Sequence, residues 1–177
     1  MSVTFIQTVT IGAGLGTSID FTSIPQTYTD LMVVLTLRNT STYEHIKITI
    51  NGSASSFTGR YLTAGGSGAA GSGVYGQYLG NATRDAYTAA TFSNTFVYIT
   101  NYSSTTVNKS ITSDSMAENN TATANLTSQG MTANVWANNA AITSLSFVNE
   151  GAANYNQYSS ATLFGITKGS SGGVTVA

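Results

Sequence analysis

The sequence predicts an all-β protein, an antiparallel β-sandwich of the jelly-roll kind with about ten short strands. Apolar residues recur at every second position in short runs, and clusters of Asn, Gly and Ser separate these runs. No long window has the 3.6-residue apolar period of an amphipathic helix. The chain has 177 residues, enough for one sandwich to bury its own core, so we expect a single domain over residues 1–177.

The first predicted strand covers residues 2–11. Threonines alternate there with the apolar residues Val3, Phe5, Val9 and Ile11. This pattern is typical of a strand with one buried side. In residues 30–39 both alternating sets are apolar as far as Leu35, so we expect this strand to be covered on both faces and to form the centre of the core. Pro25, the single proline, precedes it, where its missing N–H costs no ladder hydrogen bond.

The clearest strand-and-turn signal lies in residues 45–52. Ile46, Ile48 and Ile50 alternate with polar residues, and Asn51-Gly52 follows them. Both turn residues tolerate a positive φ, which predicts a tight turn. Further strands are predicted at 74–79, 94–100, 107–116, 122–126, 131–136, 142–148 and 161–166.

Two segments have little side-chain surface to bury. Residues 63–73 are almost entirely Gly, Ala and Ser, and residues 167–177 form a Gly- and Ser-rich tail. We expect both to be flexible, and to become ordered only against a neighbouring molecule.

Only 7% of the residues are charged, against roughly 25% in an ordinary soluble domain. A polar surface that avoids charge suits a protein packed against copies of itself or against a larger shell. The six Lys and Arg residues form no basic stripe, so we expect no nucleic-acid partner. The longest apolar run, Leu31 to Leu35, is too short to span a bilayer, and the N-terminus does not resemble a secretory signal, so we expect no membrane partner.

Candidate catalytic and cofactor motifs are weak. Gly12–Gly16 resembles the start of a dinucleotide fingerprint, but no helix pattern follows it. His45 is the only histidine, and we interpret it as a surface or turn residue. Asp114 and Glu118 are the closest acidic pair, but their spacing gives no reason for them to converge as a glycosidase pair. We expect no enzyme activity, no cofactor and no metal.

The tyrosines are more suggestive, because phenol rings can fill an interface or stack on sugars. We predict that an interface draws on two arginines and six tyrosines: Arg60, Arg84, Tyr75, Tyr78, Tyr87, Tyr102, Tyr155 and Tyr158. With so few charges in the chain, Arg38, Arg60 and Arg84 should each have a specific partner. Trp136 is interpreted as a core residue.

Five sequence blocks occur in order along most of the chain, at residues 19–40, 48–52 (ITING), 96–102 (FVYITNY), 136–144 (WANNAAITS) and 159–166 (SSATLFGI). Together they resemble a family of small virion structural proteins of tailed bacteriophages. The resemblance implies a β-sandwich subunit without catalytic residues. It also implies that Pro25 and Tyr28 lead into the core strand and that Trp136 and Phe164 fill the sandwich.

Two placements in the virion follow from this resemblance. We favour a capsid decoration (cement) protein, a homotrimer that binds the major capsid protein on the capsid surface after assembly in the host cytoplasm. The alternative is a tail-fibre or tail-tip domain that binds a host surface glycan, which the tyrosine-rich loops would also suit. A depolymerising tailspike enzyme would need two convergent acids and a longer chain.

Overall fold

The computed structural model describes residues 1–40, 45–65, 70–74, 76–119 and 128–168. Thirteen strands and one short 3₁₀ turn, Glu150–Ala152, lie in these ranges. The strands are β1 (Ser2–Thr10), β2 (Ser18–Phe21), β3 (Asp30–Asn39), β4 (His45–Ile50), β5 (Phe57–Gly65), β6 (Ala70–Gly73), β7 (Tyr78–Asn81), β8 (Thr83–Arg84), β9 (Ser93–Ile99), β10 (Lys109–Ala117), β11 (Ser128–Trp136), β12 (Leu145–Asn149) and β13 (Ser160–Thr167).

The strands form two sheets that pack against each other, which confirms the predicted β-sandwich. The larger sheet has nine strands in the order β1-β13-β3-β9-β10-β11-β5-β6, with β8 beside β3. The smaller sheet has the order β2-β12-β4-β7. All pairs are antiparallel except the short β3–β8 pair.

The connectivity is that of a jelly roll. Strands β1, β13, β3 and β9 are neighbours in the larger sheet, and β2, β12, β4 and β7 form the smaller one. The chain crosses between the sheets at eight of the twelve steps from one strand to the next, and early strands lie beside late ones, as in a long hairpin wrapped around a core. The hairpin β5–β6 and the strands β10 and β11 are additions that widen the larger sheet beyond β9.

The core is centred on β3, as predicted, and on β4. Leu31, Val33, Leu35 and Leu37 of β3 are completely buried, and so are Ile46, Ile48 and Ile50 of β4. Trp136 is 1% exposed and belongs to the same apolar cluster, which confirms its assignment to the core.

The prediction that β3 is covered on both faces is wrong for the described residues. Met32, Val34 and Thr36, on the second face of β3, are only half-buried. This face lies on the outside of the larger sheet. An apolar pattern indicates that a strand face is buried in the working protein. It does not show whether the residues that bury it belong to the same chain.

A β-bulge overturns the predicted sidedness of β1. The pairing with β13 shifts between Phe5 and Gln7, so the two halves of the strand present opposite sides to the core. Val9 and Ile11 pack against the core, whereas Val3 and Phe5 are 55% and 61% exposed. Phe164 pairs with Phe5 on the outer face, with ring centroids 6.3 Å apart, so the expectation that Phe164 fills the sandwich is also wrong.

The expected flexible loop at 63–73 is wrong for most of its length. Residues 63–65 belong to β5, and Ala70–Gly73 forms β6, which pairs with β5. Strand pairing uses backbone groups, so a segment with few side chains can still join a sheet. Gly73 also makes room for a ring, since an added Cβ would lie 2.6 Å from the Tyr61 hydroxyl oxygen. Residues 66–69 lie outside the described part.

The remaining predicted strands agree less closely. Those predicted at 94–100, 107–116, 131–136 and 161–166 correspond to β9, β10, β11 and β13. The strand predicted at 74–79 begins only at Tyr78, and that at 142–148 begins at Leu145. The predicted strand 122–126 lies outside the described residues. Of the predicted tail, Thr167 ends β13 and Lys168 forms an ion pair with Asp30, while 169–177 lie outside the described part.

The Asn51-Gly52 turn forms as predicted and has a second role. Asn51 and Gly52 have φ values of 52° and 73°, and Ile50 and Ser53 exchange backbone hydrogen bonds across the turn. The Asn51 side chain also holds residues 141–144. Its amide donates to the Ala141 carbonyl (2.8 Å), and its carbonyl accepts from the amides of Thr143 (2.8 Å) and Ser144 (3.1 Å).

These two roles of Asn51 can be separated by mutation. Asn51→Gly keeps the conformational freedom and loses only the side-chain hydrogen bonds, so we expect the free energy of unfolding to fall by about 1 kcal/mol. Asn51→Ala loses the bonds and adds left-handed strain, so we expect a loss of about 2–3 kcal/mol. Urea denaturation of the two variants measures the contribution of the hydrogen bonds and that of the strain. An equal fall in the free energy of unfolding for both variants would contradict the assignment of strain to the turn.

Candidate interaction surface

Most of the tyrosines predicted to form an interface are buried inside the chain. Tyr102 and Tyr155 are 0% exposed, and Tyr78 and Tyr87 are 3% and 5% exposed. The interface prediction is therefore wrong for these four, because side chains enclosed by their own fold cannot contact another molecule. Tyr158 is 68% exposed, and Tyr75 lies outside the described residues.

The buried tyrosines act as anchors within the fold. The Tyr102 hydroxyl donates to the Pro25 carbonyl, and the Tyr78 hydroxyl donates to the Asn81 side chain (2.9 Å). Tyr155 joins two segments through its backbone, which exchanges hydrogen bonds with Gly16. The local sequence indicated that these residues lie in loops and at strand ends. It did not indicate how deeply the sheets bury them.

The three arginines singled out from sequence have different environments. The Arg38 guanidinium lies 3.3 Å from an Asp85 carboxylate oxygen and donates to the backbone carbonyls of Asp85, Tyr87, Thr88 and Thr91. It therefore holds the loop between β8 and β9. Arg84 lies over the Tyr87 ring at 4.8 Å, a cation–π contact. Arg60 is exposed on β5.

The outer face of the larger sheet carries two adjacent rows of directly paired residues. From β13 to β5, the first row consists of Phe164, Met32, Tyr98, Thr112, Ala133 and Arg60. The second row consists of Thr162, Val34, Phe96, Asp114, Met131 and Leu62. We refer to these two rows, with Phe5 on β1, as the outer face.

The outer face is mainly apolar and uncovered by the described residues. Phe96 is 48% exposed, Leu62 55% and Met131 61%. The side chains on a sheet face in contact with water are normally polar. Contiguous exposed apolar surface of this kind marks a site of contact with another molecule.

The middle of the inner face of β10 and β11 is polar, although Ile111 and Trp136 on the same face belong to the apolar core. Ser113, Ser115, Thr132 and Asn134 point inwards and are at most 5% exposed. The Ser113 hydroxyl donates to the Leu79 carbonyl (2.6 Å) and the Asn134 amide to the Tyr78 carbonyl (2.7 Å). The Asn81 amide donates to the Ser115 hydroxyl (3.1 Å). These bonds satisfy backbone groups of β7, the edge strand of the smaller sheet.

Gly80 permits this close approach of β7. Its φ is 138°, and an added Cβ would collide with the Ser115 side chain. Polar side chains therefore face inwards in the middle of β10 and β11 because they bind β7. Ile111 and Trp136 on the same side join the apolar core, whereas Met116 and Met131 face outwards. Sequence alternation alone shows two kinds of face but cannot tell which one is inside.

A groove of about 650 Å³ lies on the outer face. Phe96, Tyr98, Met131 and Leu62 line it, together with its two charged residues, Asp114 and Arg60. Asp114 was considered from sequence as half of a glycosidase pair. It lies on the exposed side of β10, whereas Glu118 follows the strand end and accepts a hydrogen bond from the Asn119 amide.

A buried carboxylate lies at the border of the outer face, and sequence analysis did not single it out. Asp30 is 0% exposed and accepts hydrogen bonds from the Tyr98 hydroxyl (2.6 Å) and the Asn101 amide (2.8 Å). Lys168 forms an ion pair with it at 2.8 Å. Burial alone would raise the pKa of Asp30, but these hydrogen bonds and the Lys168 charge lower it below 3.8. Burial and the bond to Asp30 raise the pKa of Tyr98 to about 12.

Lys109 is a completely buried cation that sequence analysis also missed. Its ammonium donates to the carbonyls of Ser104 (2.8 Å), Val107 (2.7 Å) and Asn139 (3.3 Å). Burial lowers the pKa of Lys109. Because the three carbonyls satisfy its three protons, Lys109 serves to join two loops at one end of the sandwich.

The smaller sheet carries a polar cluster at its outer side. Glu150 contacts both the His45 ring nitrogen (2.5 Å) and the Lys47 ammonium (2.8 Å). The His45 ring also packs edge-on against Tyr78, with centroids 4.9 Å apart. The single histidine is thus a partly exposed residue at the start of β4, as interpreted from sequence. The Gly12–Gly16 segment connects β1 to β2 and not to a helix.

Comparison of the chain with protein-family models, with curated proteins and with solved structures gives no match. Within the described ranges, no three His, Asp or Glu side chains are grouped as metal ligands would be. The same part of the chain contains no helix with the length and apolar character needed to cross a membrane.

The Asp30 cluster predicts a specific acid dependence of stability. A carboxylate whose pKa is lowered by folding stabilises the native state above its ordinary value, and this contribution is lost as the pH falls below 3.8 through the lowered value. We expect Asp30→Asn to lower the free energy of unfolding at neutral pH by about 2–3 kcal/mol. Below pH 3.8 its stability should also fall less steeply than that of the wild type.

Chemical denaturation at a series of pH values measures this slope. Lys168→Met serves as the matched variant, because it removes the ion pair and keeps the bonds from Tyr98 and Asn101; its slope should lie between the other two. A wild-type slope retained by Asp30→Asn would contradict the assignment.

Proposed function

We propose that the chain is a non-enzymatic structural subunit of a larger assembly, and that it is a capsid decoration protein of a tailed bacteriophage. The observation that carries the proposal is the outer face. An isolated chain would leave Phe96, Met131 and Leu62 in water, where their exposure is unfavourable by about 25 cal/mol for each Å² of apolar area. Burial of this face in an assembly recovers that free energy.

The charge distribution supports a contact role. Among the two rows of the outer face, Asp114 and Arg60 are the only charged residues. Elsewhere Arg38, Lys109 and Asp30 are used inside the fold. Few charges therefore remain to be desolvated on contact, and desolvation of unpaired charge is the largest cost of forming an interface.

The family resemblance supplies the identity of the assembly. It is compatible with both the head and the tail, and the charge-poor surface favours the head, with the major capsid protein as partner. A decoration protein of this kind stabilises a shell by bridging its subunits, so its effect comes from buried area and many small hydrogen bonds. A rigid jelly roll suits this role, because little conformational entropy is lost on binding.

The groove on the outer face supports one alternative, a tail-tip domain that binds a host glycan. Its volume of about 650 Å³ is within the range of ligand sites. Phe96 and Tyr98 offer ring surfaces for sugars, and Asp114 and Arg60 offer hydrogen-bonding groups. The lining is more apolar than a sugar needs, which is why the head is favoured.

Immunogold labelling of intact virions with an antibody to the chain tests the proposal. We expect regular labelling over the head. Heads that lack the protein should release their DNA at a lower temperature than complete heads, because the bridging contacts are missing.

Labelling confined to the tail end would contradict the decoration role and, with binding on a glycan array, would establish the alternative. Virions without any label would contradict the virion proposal as a whole. An antibody to the major capsid protein provides the positive control for access to the head surface.

A further inference from the structure

We propose that the outer face binds the outer face of a second copy of this chain, across a two-fold axis that lies between the two rows and parallel to them. The inference deepens the proposed function, on which it rests, by naming the molecule that covers the face. It differs from the trimer that the resemblance implies.

The two rows match in polarity on four of their six strands: both residues are apolar on β3, β9 and β11, and both are polar on β10. A two-fold axis between them places each residue over a residue of the second copy. The two residues come from the same strand but from different rows. Tyr98 then lies over Phe96 of the second copy, and Met32 over Val34 of the second copy. Apolar residues thus meet apolar residues on β3 and β9, as in the core of a β-sandwich.

Charge selects this axis over another. With the axis parallel to the strands and centred on β10, Asp114 would meet Asp114 of the second copy, an unfavourable pair of like charges in a contact that excludes water. With the axis between the rows, the two Asp114 carboxylates are instead offset by about 7 Å, the distance between alternate residues of a strand, and each meets a Thr112 hydroxyl, which can donate a hydrogen bond to it. Arg60 lies at the end of its row on β5, at the rim of the contact.

The area is sufficient for a weak dimer. Seven strands at a spacing of about 4.8 Å make rows about 29 Å long. With the flanking rows of Ser110 and Met116, which face each other across this axis, the face measures up to roughly 29 by 27 Å. The twist of the sheet keeps its corners apart, so two copies bury roughly 1,200 Å² in total, the lower limit for a specific interface. We therefore expect dissociation at micromolar concentration, on the order of that of the smaller known interfaces.

Thr112 provides the sharpest test, because its side chain is exposed in the single chain and lies over Asp114 of the second copy in the proposed dimer. Thr112→Asp brings two carboxylates together at two symmetric places, so the dissociation constant should rise at least about tenfold. Thr112→Lys brings opposite charges together, so the constant should stay equal or fall. Asn138→Asp, in the exposed loop after β11, adds the same charge away from the face and should change nothing.

Sedimentation velocity of the full chain over a concentration series provides the measurement, with circular dichroism to confirm that each variant is folded. We expect the wild-type mass to rise from 18.3 kDa towards twice that value. A wild type that stays monomeric, that reaches three chain masses, or that dimerises equally well as Thr112→Asp would overturn the inference.

The same variants separate this inference from the proposed function. Head labelling by a chain that stays monomeric in solution would retain the function and reject the dimer. If Thr112→Asp abolishes binding of a monomeric chain to heads or to glycans, the face is covered by the capsid protein or by a sugar, which also rejects the dimer. A dimer without head labelling would retain the contact and reject the decoration role.

Discussion

A four-stranded sheet can cover only part of a nine-stranded one, and this mismatch in width controls where the chain places its apolar side chains. The part of the larger sheet around β3 and β13 packs on β2, β12 and β4 and has an ordinary apolar interior. Beyond β9, the smaller sheet offers only its edge strand, β7. An edge strand presents backbone groups that must be hydrogen-bonded, so the side chains of β10 and β11 that lie against β7 are polar. Met116 and Met131 of these strands lie on the outer side, while Ile111 and Trp136 pack in the core.

The outer face is thus a consequence of the way the sandwich is closed. The side chains of Ser113, Ser115 and Asn134 form hydrogen bonds with backbone groups of β7 inside the sandwich. Each buried hydrogen bond of this kind is stronger than one exposed to water. Two of the few charged side chains are also used inside the fold. Arg38 and Lys109 hold loops by donating hydrogen bonds to backbone carbonyls. The surface that remains carries few charges and, over the widened sheet, is mainly apolar. These properties support the proposal that the chain is a subunit of a larger assembly.

Sequence reasoning succeeded where a signal was local. The isoleucines of β4 and the Asn51-Gly52 turn need no knowledge of distant residues, and the two apolar sets of β3 correctly located the core. It failed where the answer depends on the opposite sheet. The bulge at Phe5 reverses a face without changing the residue types, and the burial of Tyr102 and Tyr155 depends on strands more than fifty residues away. The second apolar set of β3 indicated in the sequence that this face is apolar. Only the packing of the two sheets shows that no described residue covers it.

The central claim is that the outer face is covered when the protein works. Methionine oxidation tests it directly, because Met131 lies in the face and is 61% exposed in the single chain, whereas Met1 lies outside it and is 85% exposed. Both should oxidise readily in the dilute chain. In the proposed virion assembly, we expect oxidation of Met131 to be strongly slowed relative to that of Met1. Equal rates for Met131 in the free and assembled protein would contradict the account.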